Sequence, residues 1–230
     1  WLSVQALKIS GGRPGLLVMI LSVLAGTISM FVDNVVVILM MAPVALPLAR
    51  ALKLQVTPLV LMIGFSANFM GSAMLLGDLP PQMLHSVSGV EFMDFFWHRG
   101  RPSSFPILVV TFAITLAVMY AYGFRGHKRI AIDVEKLGIE TKIPNPLFAT
   151  VVVGWFFATV LAMAFREVLG VKLGFIAMTG AITLVLALEI LGKRVNAPDF
   201  EEILGELDWR AIFFYIALFA LVGGLEKMKV

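Results

Sequence analysis

An acidic residue and its amide neighbour, Asp33 and Asn34, stand between two apolar segments, 15–31 and 35–49, that contain no Lys or Arg. A carboxylate inside a bilayer costs at least ~2.5–3.5 kcal/mol on insertion scales, so it persists where it meets a partner, water or an ion. The pair therefore predicts an ion or proton site. The alternative is structural, because Asp and Asn both cap helix N-termini well. The two roles are compatible, since a helix that starts inside a membrane favours ion binding.

A second polar cluster interrupts the apolar segment 57–77 and continues just beyond it. Small residues let backbone approach a ligand closely, and unwound carbonyls hold a cation, whereas half-helix N-termini favour an anion. The alternative for the last carboxylate is a solvated cap at the membrane interface. The residues of this cluster predicted to bind an ion are Asn68, Gly71, Ser72 and Asp78, with Gly77 beside them.

The motifs of several enzyme classes are missing. The sequence has no HExxH, no GxSxG and no phosphate-binding loop. His85, His98 and His127 lack metal-ligand spacing, and without cysteine no thiol chemistry is available. A membrane aspartyl protease would need two facing carboxylates and a Gly-x-Gly-Asp pattern. Here Leu75 stands where that pattern requires its first Gly. We therefore predict no enzyme, no cofactor and no resident metal.

The elements that must position the two clusters are apolar helices. The chain is 60% hydrophobic and 14% charged, with mean hydropathy +0.95, and its charges fall between long apolar runs. Because a spanning helix needs about 20 apolar residues, this pattern predicts an all-α, polytopic transmembrane bundle rather than a soluble or nucleic-acid-binding domain, despite the net charge of +3. The seven apolar stretches are 15–31, 35–49, 57–77, 105–124, 147–165, 171–191 and 209–225.

The first three stretches are unusual. Only three residues separate the first two, which favours a re-entrant hairpin with its tip at Asp33-Asn34 over two full spans. The third contains Gly, Asn and Ser and ends at Pro80-Pro81, which favours a discontinuous helix over an ordinary one with a polar exit loop. The basic linker after residue 124 places that side in the cytoplasm, together with both ends of the hairpin.

Three blocks of the sequence resemble the ion transporter superfamily that includes arsenite efflux carriers, NhaD-type sodium/proton antiporters and the melanosomal P protein. They are Phe31-Val32-Asp33-Asn34-Val35, the run from Ala67 to Asp78, and the segment from Asp208 to Glu226. The resemblance implies inverted repeats, each with a re-entrant hairpin and a broken helix, and a site carried by Asp33, Asn34, Asn68, Gly71 and Asp78. Val36, Met70, Met74 and Leu79 depart from the family pattern, so the chain resembles a divergent member, as some magnetosome-membrane proteins are.

The resemblance also gives the expected domain organisation. The chain starts without Met and ends just after an apolar run, which predicts a fragment. We expect a first repeat, 1–124, containing the hairpin (15–49), the broken helix (57–82) and a spanning helix (105–124), then a cytoplasmic basic linker, 125–146, and a truncated second half with three transmembrane helices, 147–230.

The function predicted from these features is a proton-coupled cation antiporter, most simply Na+/H+, in a bacterial inner membrane or an organelle-like membrane. Asp33 would alternate between a proton and the cation. Arsenite efflux is the alternative in the same class, and dicarboxylate transport is disfavoured because an acidic tip repels an anion. A membrane scaffold that keeps the fold without transporting is the alternative from another class. The partners expected are the transported ion, the bilayer and, as an option, a second copy in a homodimer.

Overall fold

The protein folds into apolar helices with very little strand. The structure, a computed structural model, describes residues 2–51, 54–124, 145–195, 201, 204–205, 207 and 209–228. It forms two compact units, Trp1–Lys142 and Ile143–Val230. The predicted all-α membrane helix bundle is confirmed. The basic linker, 125–146, lies outside the described residues except for its last two.

Unit 1 begins with four helices that build its core. They are α1 (Leu2–Ser10), α2 (Pro14–Ser29), α3 (Asn34–Ala51) and α4 (Val56–Gly71). Helix α2 packs extensively against α4, and α3 packs against α4 as well. The fully buried side chains between them are large and apolar, among them Leu17, Leu21, Met41, Leu48 and Ile63.

The predicted interruption of the third apolar stretch lies between Gly71 and Leu79. Helix α4 ends at Gly71, a run of turns follows, and α5 (Leu79–Ser88) starts afresh with Asp78 as its N-cap. Pro80 and Pro81 fall in the first turn of α5, where a missing N–H breaks no helical hydrogen bond. The two prolines therefore begin the helix that follows the break.

A small cap that the sequence analysis did not predict follows α5. A 3-10 turn (Phe92–Phe95) leads into two antiparallel strands, β1 (Trp97–His98) and β2 (Arg101–Pro102). Asp94 holds it together, since its carboxylate accepts from the Glu91 N–H and pairs with His98 Nδ1 at 2.9 Å. Helix α6 (Ser104–Met119) and a π-helical turn (Tyr120–Phe124) complete the described part of unit 1.

Unit 2 contains α7 (Pro146–Ala164), the short α8 (Arg166–Leu169), α9 (Leu173–Val195) and α10 (Trp209–Met228). Helices α7 and α9 pack together where the Trp155 indole N–H donates to the Gly180 carbonyl at 3.1 Å. Gly180 has no room for a side chain, because a Cβ there would overlap Thr159.

Within the part of the chain that the structure describes, three helical stretches are long and apolar enough to cross a membrane: Ser104–Tyr122, Pro146–Ala164 and Gly174–Leu191. Helices α2 and α4 have 16 residues each, so each is about 24 Å long, less than the roughly 30 Å of a hydrocarbon core. That length suits helices that stop inside the membrane. The return of the hairpin to one side of the bilayer stays a prediction.

Candidate functional site

Asn34 joins the tip of the hairpin to the broken helix. Its side-chain Nδ2 donates one hydrogen bond to Asn68 Oδ1 and one to Asp78 Oδ2, both at 2.8 Å. An ionised carboxylate only accepts, so this amide must turn its nitrogen towards Asp78. Asn34 Oδ1 then has no hydrogen-bond partner among the described residues, which leaves an oxygen at the site that can face a cation.

Asp78 is the buried carboxylate of the site, with 9% of its surface exposed. Oδ1 accepts from its neighbour Leu79 N at 2.8 Å, and Oδ2 accepts from Asn34. No Lys or Arg in the described part of the chain forms an ion pair with it. Each oxygen keeps a lone pair beyond the donor it already holds. The carboxylate is therefore anchored as a helix cap and can still accept a further ligand.

Asp33 lies beside this network and is half-buried. Its Oδ1 accepts from Val35 N at 2.9 Å, in the first turn of α3. The capping role considered as an alternative is therefore present in the structure. A cap of this kind is compatible with ion binding, because a carboxylate oxygen has more than one lone pair.

The backbone of the helix break is pressed against the end of α2. A Cβ added to Gly77 would overlap the carbonyl oxygens of Gly71 and Ser29. A Cβ on Gly71 would lie 3.1 Å from Ser29 Oγ and 3.3 Å from Asp78 Cβ. Glycine at both positions lets α2, α4 and Asp78 meet closely.

The structure brings together four of the six predicted site residues, Asn34, Asn68, Gly71 and Asp78. Asn34, Asn68 and Asp78 are hydrogen bonded, and Gly71 lies against Asp78. Asp33 is adjacent in sequence. Ser72 caps the end of α4 and lines a separate cavity of about 250 Å³ with Pro80, Pro81, Ser103 and Ser104.

Ser29 was not selected from the sequence. Its hydroxyl is buried, against Gly71, and has no hydrogen-bond partner in the part of the chain that the structure describes. The available signal was its position, a small polar residue four before Asp33 at the end of an apolar run.

Both helices that start at the site have one first-turn N–H bound by the aspartate that precedes the helix. In α5 the Leu79 N–H is bound to Asp78, and Pro80 and Pro81 have no N–H. In α3 the Val35 N–H is bound to Asp33. Free N–H groups at a helix N-terminus are what bind an anion there. Since an aspartate holds one of these groups in each helix and the two prolines remove two more from α5, the chemistry of the site suits a cation better than an anion.

The whole chain, residues 1–230, matches the citrate transporter family, CitMHS. It is 30% identical to an uncharacterized transporter of Mycobacterium tuberculosis, 25% to the magnetosome protein MamN of Magnetospirillum gryphiswaldense and 22% to the human P protein. The alignments cover 100%, 100% and 98% of this chain, and 51%, 51% and 34% of those proteins. The chain thus spans about half the length of the bacterial relatives. No solved structure matches.

Proposed function

The chain belongs to the citrate transporter family, and we propose that the protein containing it is a secondary active transporter exchanging a cation, most simply Na+, for protons. It is a multi-pass integral membrane protein. The relatives include uncharacterized transporters, MamN and the P protein, whose names do not specify the ion. The choice of ion therefore rests on the chemistry of the site.

One observation supports the proposal most directly: Asp78 is buried and bound to Asn34, with no Lys or Arg paired to it among the described residues. A buried carboxylate is costly unless its charge is balanced. A proton or a metal cation can each balance it, and the two exclude one another at a single carboxylate. Competition of this kind at Asp78, with Asp33 adjacent, is the chemical basis of an antiporter.

The oxygen ligands favour a hard cation. Asn34 Oδ1 and the carboxylates of Asp33 and Asp78 are the kind of groups that Na+ and similar ions prefer. Asp33 and Asp78 each bind one first-turn N–H, and Pro80 and Pro81 have none, so fewer donors are left for an anion. Arsenite efflux remains the alternative within the same class.

Citrate transport is a second candidate, because the matching family carries that description. Citrate is a polyanion, so the two carboxylates would repel it unless cations bind with it. This candidate therefore predicts transport only together with a cation, which can be tested separately.

The test uses the full-length protein in proteoliposomes with a pH-sensitive dye. Na+, Li+, K+, arsenite and citrate are added in turn, and citrate is added with and without Mg2+. The variants are Asp33→Asn and Asp78→Asn. Asp94→Asn is the matched control, since Asp94 is a hydrogen-bonded carboxylate in the cap, outside the site.

We expect a proton flux driven by Na+ that both site variants abolish and the control retains. A flux that requires citrate would support the second candidate. No flux with any solute from folded wild-type protein would reject the antiporter and favour the scaffold.

A further inference from the structure

Two serine hydroxyls on α2 are buried without a partner. Ser22 and Ser29 are both fully buried, and neither hydroxyl has a hydrogen-bond partner among the described residues. An unpaired buried hydroxyl is costly, and proteins usually satisfy such groups with a ligand or water. The two residues are seven apart, so they lie on one face of the helix, about 10.5 Å from each other along its axis.

This face of α2 is turned towards α4. Gly71 of α4 lies beside Ser29, and a Cβ on Gly26 would lie 3.0 Å from Met70 Cγ. These contacts place the ends of both helices at the same level, so the helices run parallel. Ser22 is one turn before Gly26, and Ser66 is one turn before Met70. Ser66 is buried and its hydroxyl donates to the Met62 carbonyl at 2.7 Å. Ser22 and Ser66 therefore lie at a similar height along the two neighbouring helices.

Met70 packs against Gly26, which lies between Ser22 and Ser29 along α2. It is 1% exposed and rests on Gly26. Methionine is unbranched and changes rotamer easily. Met70 and the Phe112 ring of α6 thus both lie against Gly26, which is between Ser22 and Ser29 along α2, and Ser29 and Asp78 both lie against Gly71.

We propose that the seam between α2 and α4, defined by Ser22, Gly26, Ser29, Ser66 and Met70, conducts protons to Asp78 through bound water, with Met70 as its gate. The inference rests on the proposed antiport. Each hydroxyl accepts a proton from one water on a lone pair and releases its own to the next, so the serine ends unchanged. The last acceptor is a carboxylate oxygen of Asp78, which releases the proton when a cation replaces it.

The competing explanation is packing alone, because small residues let membrane helices approach closely. The two explanations differ in whether water reaches Ser22. A cysteine placed there reacts with thiol reagents only where water allows the thiolate to form.

The deciding experiment is therefore labelling of the Ser22→Cys variant of the full-length membrane protein with a small, membrane-permeant methanethiosulfonate. The matched control is Ala25→Cys, on the same helix and equally buried. This chain contains no cysteine, and protein without an introduced cysteine gives the background. We expect the Ser22→Cys variant to react at least about tenfold faster than the Ala25→Cys variant, since only the thiolate reacts. Equal rates for the two variants would overturn the proton path.

A second measurement uses transport. Ser22→Ala should slow Na+-driven proton flux about tenfold, a barrier increase near 1.4 kcal/mol, and leave the KM for Na+ unchanged. Ser22→Thr keeps a hydroxyl and should restore the rate. Ser10→Ala removes a buried serine that bonds the Leu7 carbonyl and should have no effect. Wild-type rates for Ser22→Ala would count against the path.

The gate has its own test. Met70→Ala should increase the proton leak measured without Na+, whereas Met70→Leu, which keeps the volume, should not. An unchanged leak in Met70→Ala would show that Met70 is not the gate. If wild-type protein shows no Na+-driven flux, the antiport proposal fails, while labelling of the Ser22→Cys variant still decides whether the seam holds water.

Discussion

At the scale of residues, Asn34 is the centre of the site, because one amide nitrogen binds both Asn68 and Asp78. The same side chain also keeps an oxygen available for a cation. In the proposed antiporter Asn34 therefore has two roles, and truncating its side chain removes a donor from a buried carboxylate. Gly77 contributes through its lack of a side chain, which lets the backbone of the break pack against Gly71 and Ser29.

We predict that Asn34→Ala raises the KM for Na+ by about tenfold or more, because a hydrogen bond to a charged group is worth ~1.5–3 kcal/mol. The measurement is the Na+ dependence of proton flux in proteoliposomes. Asn145→Ala, which removes the α7 cap bond to Phe148 N, is the control and should leave the KM unchanged. An unaltered KM for Asn34→Ala would remove this residue from the ion site.

We predict that Gly77→Ala destabilises the protein by about 1–3 kcal/mol or more, because the new methyl overlaps the backbone carbonyls of Gly71 and Ser29. Thermal unfolding in detergent measures this. Gly154→Ala on α7 meets no atom within 4 Å and should be neutral or slightly stabilising. Equal unfolding temperatures for the two variants would mean that the break is looser than its contacts indicate.

At the scale of elements, α3 and α5 both begin at the site and both are capped by their own aspartate. A helix start normally offers free N–H groups to an anion. Here Asp33 and Asp78 each bind one of those groups, and Pro80 and Pro81 remove two more from α5. In the proposed antiporter, the way in which the two helices start would therefore contribute to selectivity for cations over anions.

From this we predict that the double variant Pro80→Ala, Pro81→Ala gains sensitivity to anions, because it returns two N–H donors to the start of α5. Citrate should inhibit Na+-driven flux at least about tenfold more strongly than in wild type, since hydrogen bonds to a charged group are strong. Pro102→Ala, in the exposed strand β2, is the control. If citrate acts equally on all three proteins, the helix start does not set selectivity.

At the scale of the whole molecule, unit 1 carries the described site, and the chain spans about half of its bacterial relatives. We expect α4 and α5 to cross the membrane only in combination, since the 16 residues of α4 span about 24 Å. The arrangement predicted from the basic residues places both ends of the hairpin in the cytoplasm. It places the small cap formed by residues 92–102 on the other side of the membrane.

We predict that a membrane-impermeant maleimide labels Lys8→Cys and Arg50→Cys from the cytoplasmic side and Arg99→Cys from the other side. All three positions are exposed in the structure. Everted and right-side-out vesicles give the comparison. Labelling of Arg99→Cys from the same side as Arg50→Cys would refute the crossing by α4 and α5.

The sequence by itself determined the class of the protein and the region of its site. Apolar runs and isolated polar residues in them are local patterns, and burying a charge in lipid is so costly that Asp33, Asn34, Asn68 and Asp78 stood out. The bundle and an interruption of the third apolar stretch followed from those patterns, and the transporter family followed from the resemblance of three sequence blocks. Only the tertiary structure decided that Asn34 bonds Asp78, that Ser72 lies in a separate cavity, and that Ser22 and Ser29 face α4 without partners among the described residues. Those facts depend on which helix packs against which. Asn34 bonds residues that are 34 and 44 positions further along the chain, and no local sequence pattern indicates contacts over such separations.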